Sequence, residues 1–172
     1  MYLSIHDAII HHNRRMDKEQ LKSTIHPIMK ANGFHRRGCS WYKTTDECIV
    51  VFNLQHSLYG KMFYINLAAL LRKGDDLLFP KEYQCDIRMR FPIMEIEGYS
   101  TQMILDLESA IEEKIRLSLL TCIVSCSLTF LQKLESIDGI IELYGEHPNL
   151  NNLYPLSSIL YRKEINSKLK AN

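Results

Sequence analysis

The chain has 172 residues, 46% of them hydrophobic and 24% charged, with 21 basic and 20 acidic side chains and a formal net charge of +1. That length suits one domain with a proper core, and a neutral balance argues against a protein that grips nucleic acid through its phosphates. The five cysteines are odd in number and form no Cys-x-x-Cys, so reduced thiols in a cytoplasmic setting are expected.

In chain order, Ile5 and Ile9 behind Ser4 predict a short first helix, and His6 and Asp7 break the apolar run that a signal peptide needs. A stronger helix opens at Asp17. Its carboxylate can take the free amide three residues on, while Gln20 reaches back. Leu21, Ile25, Ile28 and Met29 form its inner stripe, Pro27 predicts a kink or break, and Gly33 supplies a left-handed stop with Phe34 folding back. Strands follow: a short aromatic run at 40–43, then the β-branched and apolar runs 48–55 and 61–71, joined by a hairpin loop ending at Gly60. A connection over 72–83 carries the turn residues Gly74, Asp75 and Pro80. Residues 85–91 alternate as a fourth strand, which Pro92 ends.

From Ser100 or Thr101 the period becomes helical, with Met103, Ile104, Leu107, Ala110, Ile111 and Ile115 on one stripe. Beyond Leu117 apolar residues run all round, which predicts one long helix with a fully enclosed second half. The stretch 117–131 would span roughly 22 Å, short of the roughly 30 Å of a bilayer core, and it holds five Ser and Thr residues. A core helix is expected, not a membrane span. Gly139 and Gly145 punctuate its end, and Pro155 opens a last helix with Ile159 and Leu160 inward. No repeat or linker divides the chain, so 1–172 reads as a single domain. The fold class is α+β: a four-stranded (or larger) antiparallel sheet packed on one face by a long C-terminal apolar helix plus shorter N- and C-terminal helices.

Side chains alternate along strands, so the two sheet faces can be read separately. Val50, Phe52, Leu54, Phe63, Ile65, Leu67, Ile87, Met89 and Phe91 make an apolar face. The other face gathers Asn53, Gln55, Tyr64, Asn66, Arg88 and Arg90, with Trp41 or Tyr42 joining from the first strand. A solvated face, or one partly covered by the N-terminal segment, is the plain reading. Yet carboxamides, aromatics and arginines make the oriented contacts of an interface.

Chemistry-bearing constellations are weaker. Adjacent His11 and His12 diverge by about 100° on a helix, and no carboxylate cluster joins them and His6. His56 and Ser57 point to opposite sides of a strand, which prevents a nucleophile–base pair unless the chain bends. The clusters His35-Arg36-Arg37 and Arg14-Arg15 read as solvated charge, and Glu108, Glu112 and Glu113 with Lys114 and Arg116 as surface pairing. Cys122 and Cys126 fall in the most apolar stretch and are expected in the core. No phosphate loop, nucleophile elbow or zinc-binding helix is present.

The ordered string Gly33-Phe34-x-Arg36-x-Gly38-x-x-Trp41-Tyr42, then Val51-Phe52-Asn53-Leu54-Gln55-x-Ser57-x-Tyr59, then Phe63-Tyr64-Ile65-Asn66-Leu67 resembles an uncharacterised, largely bacterial family, domain of unknown function 4304. Ile87-Arg88-Met89-Arg90 stands for that family's arginine-bearing strand. The resemblance covers residues 18–91 and the helical third in outline. It implies an α+β fold and a cytoplasmic bacterial setting, and marks Asn53, Gln55, Ser57 and Asn66 as characteristic polar positions that either bind or brace. It brings no activity and no catalytic residue.

The expected function is therefore a non-enzymatic domain that binds another protein through Asn53, Gln55, Ser57, Tyr64, Asn66, Arg88 and Arg90, a toxin-neutralising (immunity) role being one form. No cofactor, metal or membrane is called for. The alternative is a small enzyme or a nucleotide- or RNA-binding protein with a pocket near His56, Ser57 and the arginine strand.

Overall fold

Residues 16–72 and 77–147 are described by a computed structural model. The helix expected at 4–12, the His6, His11–His12 and Arg14–Arg15 groups, the turn at Gly74 and Asp75, and the helix after Pro155 lie outside them. Helix α1 (Lys18–Ala31) opens with the expected capping box: the Asp17 carboxylate accepts the Gln20 amide at 2.9 Å, and the Gln20 side chain accepts the Asp17 amide at 2.7 Å. It runs through Pro27 without a break, with the ring on the exposed side. Gly33, at φ +83°, turns the chain, and the Phe34 amide closes on the Met29 carbonyl.

Five strands follow in a simple antiparallel meander, β1 (His35–Arg37), β2 (Ser40–Thr44), β3 (Cys48–His56), β4 (Phe63–Leu71) and β5 (Ile87–Arg90), neighbours in sequence being neighbours in the sheet. A strand not expected from the sequence, β1, pairs with β2 across a two-residue turn headed by Gly38 at φ +65°. A small hairpin, β6 (Glu95–Ile96) with β7 (Tyr99–Ser100), stands apart.

The apolar face of the sheet carries the core. Trp41 meets Phe52 edge-on at 5.5 Å and donates its indole N–H to His26 on α1. Phe63, Ile65, Leu67 and Ile87 continue that layer, and Leu21, Ile25 and Met29 of α1 close it from above. Beside α1 lies a second helix carrying Leu119, Leu120, Ile123, Val124 and Leu131 into the same core.

The expected single helix from residue 100 is in fact two. Helix α2 (Thr101–Leu105), capped by Ser100, stops after five residues, and α3 runs from Glu113 to Lys133. Asp106 causes the break. Its carboxylate takes the Glu108 amide at 2.9 Å, its backbone bridges to Met62, and Leu107 donates to the Lys61 carbonyl. These bonds divert the backbone from helix to the rim of the sheet.

The second half of α3 is not fully enclosed either. Ser118, Thr121, Cys122, Ser125 and Thr129 form an exposed stripe, with Cys126 half-buried, so Cys122 and Cys126 are not both core residues as expected. Small polar side chains that bond their own turn, as Thr121 does to Leu117, supply a water-facing side inside an apolar sequence. Helix α3 is long and apolar enough to cross a membrane by length and composition, and its apolar side is occupied by the core of this domain.

Helix α4 (Ile137–Glu146) replaces the expected helix end at Gly139 and Gly145, both of which it contains. Ser136 caps it by accepting the Gly139 amide. Gly139 is there for proximity: a Cβ would stand 2.4 Å from the Lys133 carbonyl oxygen.

Candidate functional site

The other face of the sheet divides into two halves. Towards one end, Tyr42, Ile49, Val51 and Ala68 form a separate apolar cluster with Leu70 and Cys85 beside it. The connection after β4 folds back over this half: Phe79 meets Tyr42 edge-on at 5.3 Å, and the 3-10 turn Glu82–Gln84 leads into β5. Residues of low polarity at 42, 49, 51 and 68 explain why this half is covered, since exposing them would cost their transfer energy. The covering segment is thus the connection over 77–85, where the sequence suggested a solvated face or one partly covered by the N-terminal segment.

The remaining half is polar, and the strand register makes it a single row. Arg37 pairs with Ser40, Ser40 with Asn53, Asn53 with Asn66, and Asn66 with Arg90, one residue from each of the five strands. Gln55 and Tyr64 face each other one step along the strands. Antiparallel pairing sets these side chains about 5 Å apart, close enough for a continuous hydrogen-bond chain. Asn53 Nδ2 donates to Ser40 Oγ at 2.9 Å. Asn66 Nδ2 donates to Asn53 Oδ1 at 3.2 Å and to Gln55 Oε1 at 2.9 Å, and Arg90 donates to the same Gln55 oxygen at 3.3 Å. The Arg90 guanidinium then lies over the Tyr64 ring at 4.1 Å, a cation–π contact.

Five of the seven residues expected at a binding surface therefore form one connected array: Asn53, Gln55, Tyr64, Asn66 and Arg90. Asn66 is buried as its hub, while Gln55 and Arg90 are exposed. Arg88 shares the face but sits one row down, opposite Ala68, at the margin of the apolar half. Ser57 is not in the array. Its hydroxyl donates to the Tyr59 carbonyl and accepts the Tyr59 amide, both at 3.1 Å, so it braces the β3–β4 loop. Tyr42, not Trp41, is the aromatic on this face.

Arg37 and Ser40 were missed. Arg37 belongs to a basic cluster that reads as solvated charge, and only the unexpected β1–β2 turn brings it to the end of the row. There its guanidinium lies over Phe79 at 4.6 Å. Arg36 points the other way, to Glu19 and the Gly38 carbonyl.

The alternative site does not assemble. The His56 ring packs edge-on against Phe63 at 4.8 Å, and the Ser57 hydroxyl is engaged in its loop. A 130 Å³ pocket does adjoin Arg90, but Phe63, Ile65, Phe91, Ile93 and Leu105 dominate its walls, with Tyr64, Thr101 and Gln102 as the other residues bearing polar groups. Burial pushes the thiols of Cys48 and Cys85 up to about 12, helped by nearby carboxylates, which leaves both protonated and poorly nucleophilic at neutral pH. Among the described residues, no group of three His, Cys, Asp or Glu side chains is placed to hold a metal.

Arg116, read from sequence as surface pairing, is buried. It donates to the carbonyls of Met103, Ile104, Asp106 and Ser109 and to the Ser109 hydroxyl, at 2.7–3.2 Å. Desolvation lowers its pKa, partly offset by Asp106. Its role is to bind the frayed end of α2 to α3.

The family model described as Domain of unknown function (DUF4304) matches residues 25–132, well over half of the chain, and the chain belongs to that family. The match takes in all seven strands, α2 and nearly all of α3. No curated protein and no solved structure matches the chain.

Proposed function

We propose that this member of the family is a non-enzymatic binding domain that docks a protein partner on the polar half of its second sheet face. The single supporting observation is the hydrogen-bonded row Ser40–Asn53–Asn66–Gln55–Arg90 with Tyr64 beneath the guanidinium. Its side chains are fixed before any partner arrives, which reduces the entropy that binding must overcome. The hairpin tip beyond Gln55 adds Leu58 and Tyr59, 93% and 87% exposed, an apolar margin of the sort interface cores use. A toxin-neutralising role is one form of this reading, and five unpaired cysteines suit a cytoplasmic setting.

The rival enzyme reading lacks converging acid, base and nucleophile at the pocket beside Arg90. The test is affinity capture from the native host with wild-type chain and with the combined Asn53→Ala, Gln55→Ala and Arg90→Ala variant. A partner held by the first and released by the second is expected. Equal capture by both sinks the proposal.

A further inference from the structure

We infer that the docked partner presents an extended acidic segment, whose carboxylates are taken by Arg37 and Arg90 at the two ends of the polar row. This deepens the docking proposal and rests on it. The row begins and ends in arginine, and neither it nor Gln55 and Tyr64 beside it include a carboxylate. Among the described residues no ion pair reaches Arg37 or Arg90. Asp86, the acidic residue just before β5, is already taken by the Leu71 amide at 2.8 Å.

Hydrogen-bond direction points the same way. The Gln55 oxygen accepts from both Asn66 and Arg90, while its amide N–H groups donate to no partner among the described residues. The Asn53 oxygen is taken by Asn66 and its amide by Ser40. What the exposed part of the row offers is chiefly donors: the Gln55 amide and two guanidinium groups. Such a surface is satisfied by an anion, and a planar guanidinium matches a carboxylate with two parallel bonds.

Spacing sets the length of the ligand. Four strand separations put the backbones of Arg37 and Arg90 about 19 Å apart. An extended peptide covers that in about six residues, and positions an even number apart face the same way. Both guanidinium groups are held against rings, Phe79 and Tyr64, so the two anchors are preorganised at a fixed separation.

The experiment titrates the full chain with fluorescently labelled peptides of ten glutamates and of three glutamates, with a ten-glutamine peptide and a ten-nucleotide oligouridylate as further probes. The ten-glutamate peptide should bind at least about tenfold more tightly than the three-glutamate one, because two anchors act together. Arg37→Gln or Arg90→Gln should each abolish that difference with the melting temperature retained, since both side chains are exposed. Lys114→Gln, on the outside of α3, removes the same charge and should leave it intact. Absence of a length effect, an equal loss in Lys114→Gln, equal binding of the glutamine peptide, or tighter binding of oligouridylate would each overturn the inference. If such a failure accompanies partner capture that still depends on Asn53 and Gln55, only the acidic ligand is lost. If capture is also indifferent to those residues, the docking face falls with it.

Discussion

Arg116 shows how one side chain can hold two elements together. Its guanidinium serves four carbonyls and a hydroxyl where α2 stops, groups that a five-residue helix cannot satisfy itself. Arg116→Ala removes the guanidinium donors of the Ile104 and Ser109 carbonyls, while those of Met103 and Asp106 keep the Ser109 hydroxyl and amide, and each such loss costs of order 1 kcal/mol or more. Urea unfolding should show a loss of about 2–4 kcal/mol, and Arg116→Lys should recover only part of it, since an ammonium group cannot reach four carbonyls in one plane. A loss below about 0.5 kcal/mol would reduce the clamp to a surface contact. Cys48 makes a different prediction at the same scale. Its folded pKa is raised from 9.0 to about 12, first by burial and then by Glu47, Asp86 and Glu135. Between those values the unfolded chain releases the thiol proton and the native chain keeps it. Stability contributed by this group is therefore whole below pH 9 and declines as pH rises towards 12, by about 1 kcal/mol per unit. Cys48→Ala should flatten that slope relative to wild type in chemical denaturation between pH 9 and 11. An unchanged slope would mean that the thiol does not carry it.

Among the elements, glycines in α4 separate packing from propensity. Gly139→Ala forces a methyl to 2.4 Å from the Lys133 carbonyl, a backbone atom that can move only with the α3–α4 junction. A loss of about 1–3 kcal/mol is expected. Gly145→Ala meets nothing within 4 Å and has an ordinary helical backbone, so a gain of about 0.4–1 kcal/mol is expected. Thermal unfolding of the two variants checks both signs. These glycines also show where sequence reading reaches its limit. As a pair they suggest a helix end, because only tertiary contact reveals that Gly139 is needed inside a helix. The capping box at Asp17, the stop at Gly33 and the alternation in β3, β4 and β5 were legible, since each depends on neighbours in sequence. The break at Asp106 was not: it depends on bonds to Lys61 and Met62, some 45 residues away. Strand β1 was too short to show alternation, and with it the Arg37 end of the row was hidden.

At the scale of the whole molecule, the sheet separates two jobs. One face is given to the core through α1 and α3, and the other is half closed by the connection over 77–85 and half left polar. Alternation alone identified five members of that polar half, but not how they were joined. Register was needed for that, because a shift of one residue in β3 or β4 would send Asn53 or Asn66 into the core. Burial of Asn66 as the shared donor explains why the array is rigid, and exposure of Gln55 and Arg90 explains how it can be reached. Protein docking at this half-face is thus the central claim, and the affinity of the captured partner tests it most directly. Isothermal titration of that partner should give a dissociation constant about 100-fold weaker for the Asn53→Ala, Gln55→Ala and Arg90→Ala chain than for wild type, with Lys114→Gln unchanged. A triple variant that stays folded and binds within about twofold of wild type would contradict it.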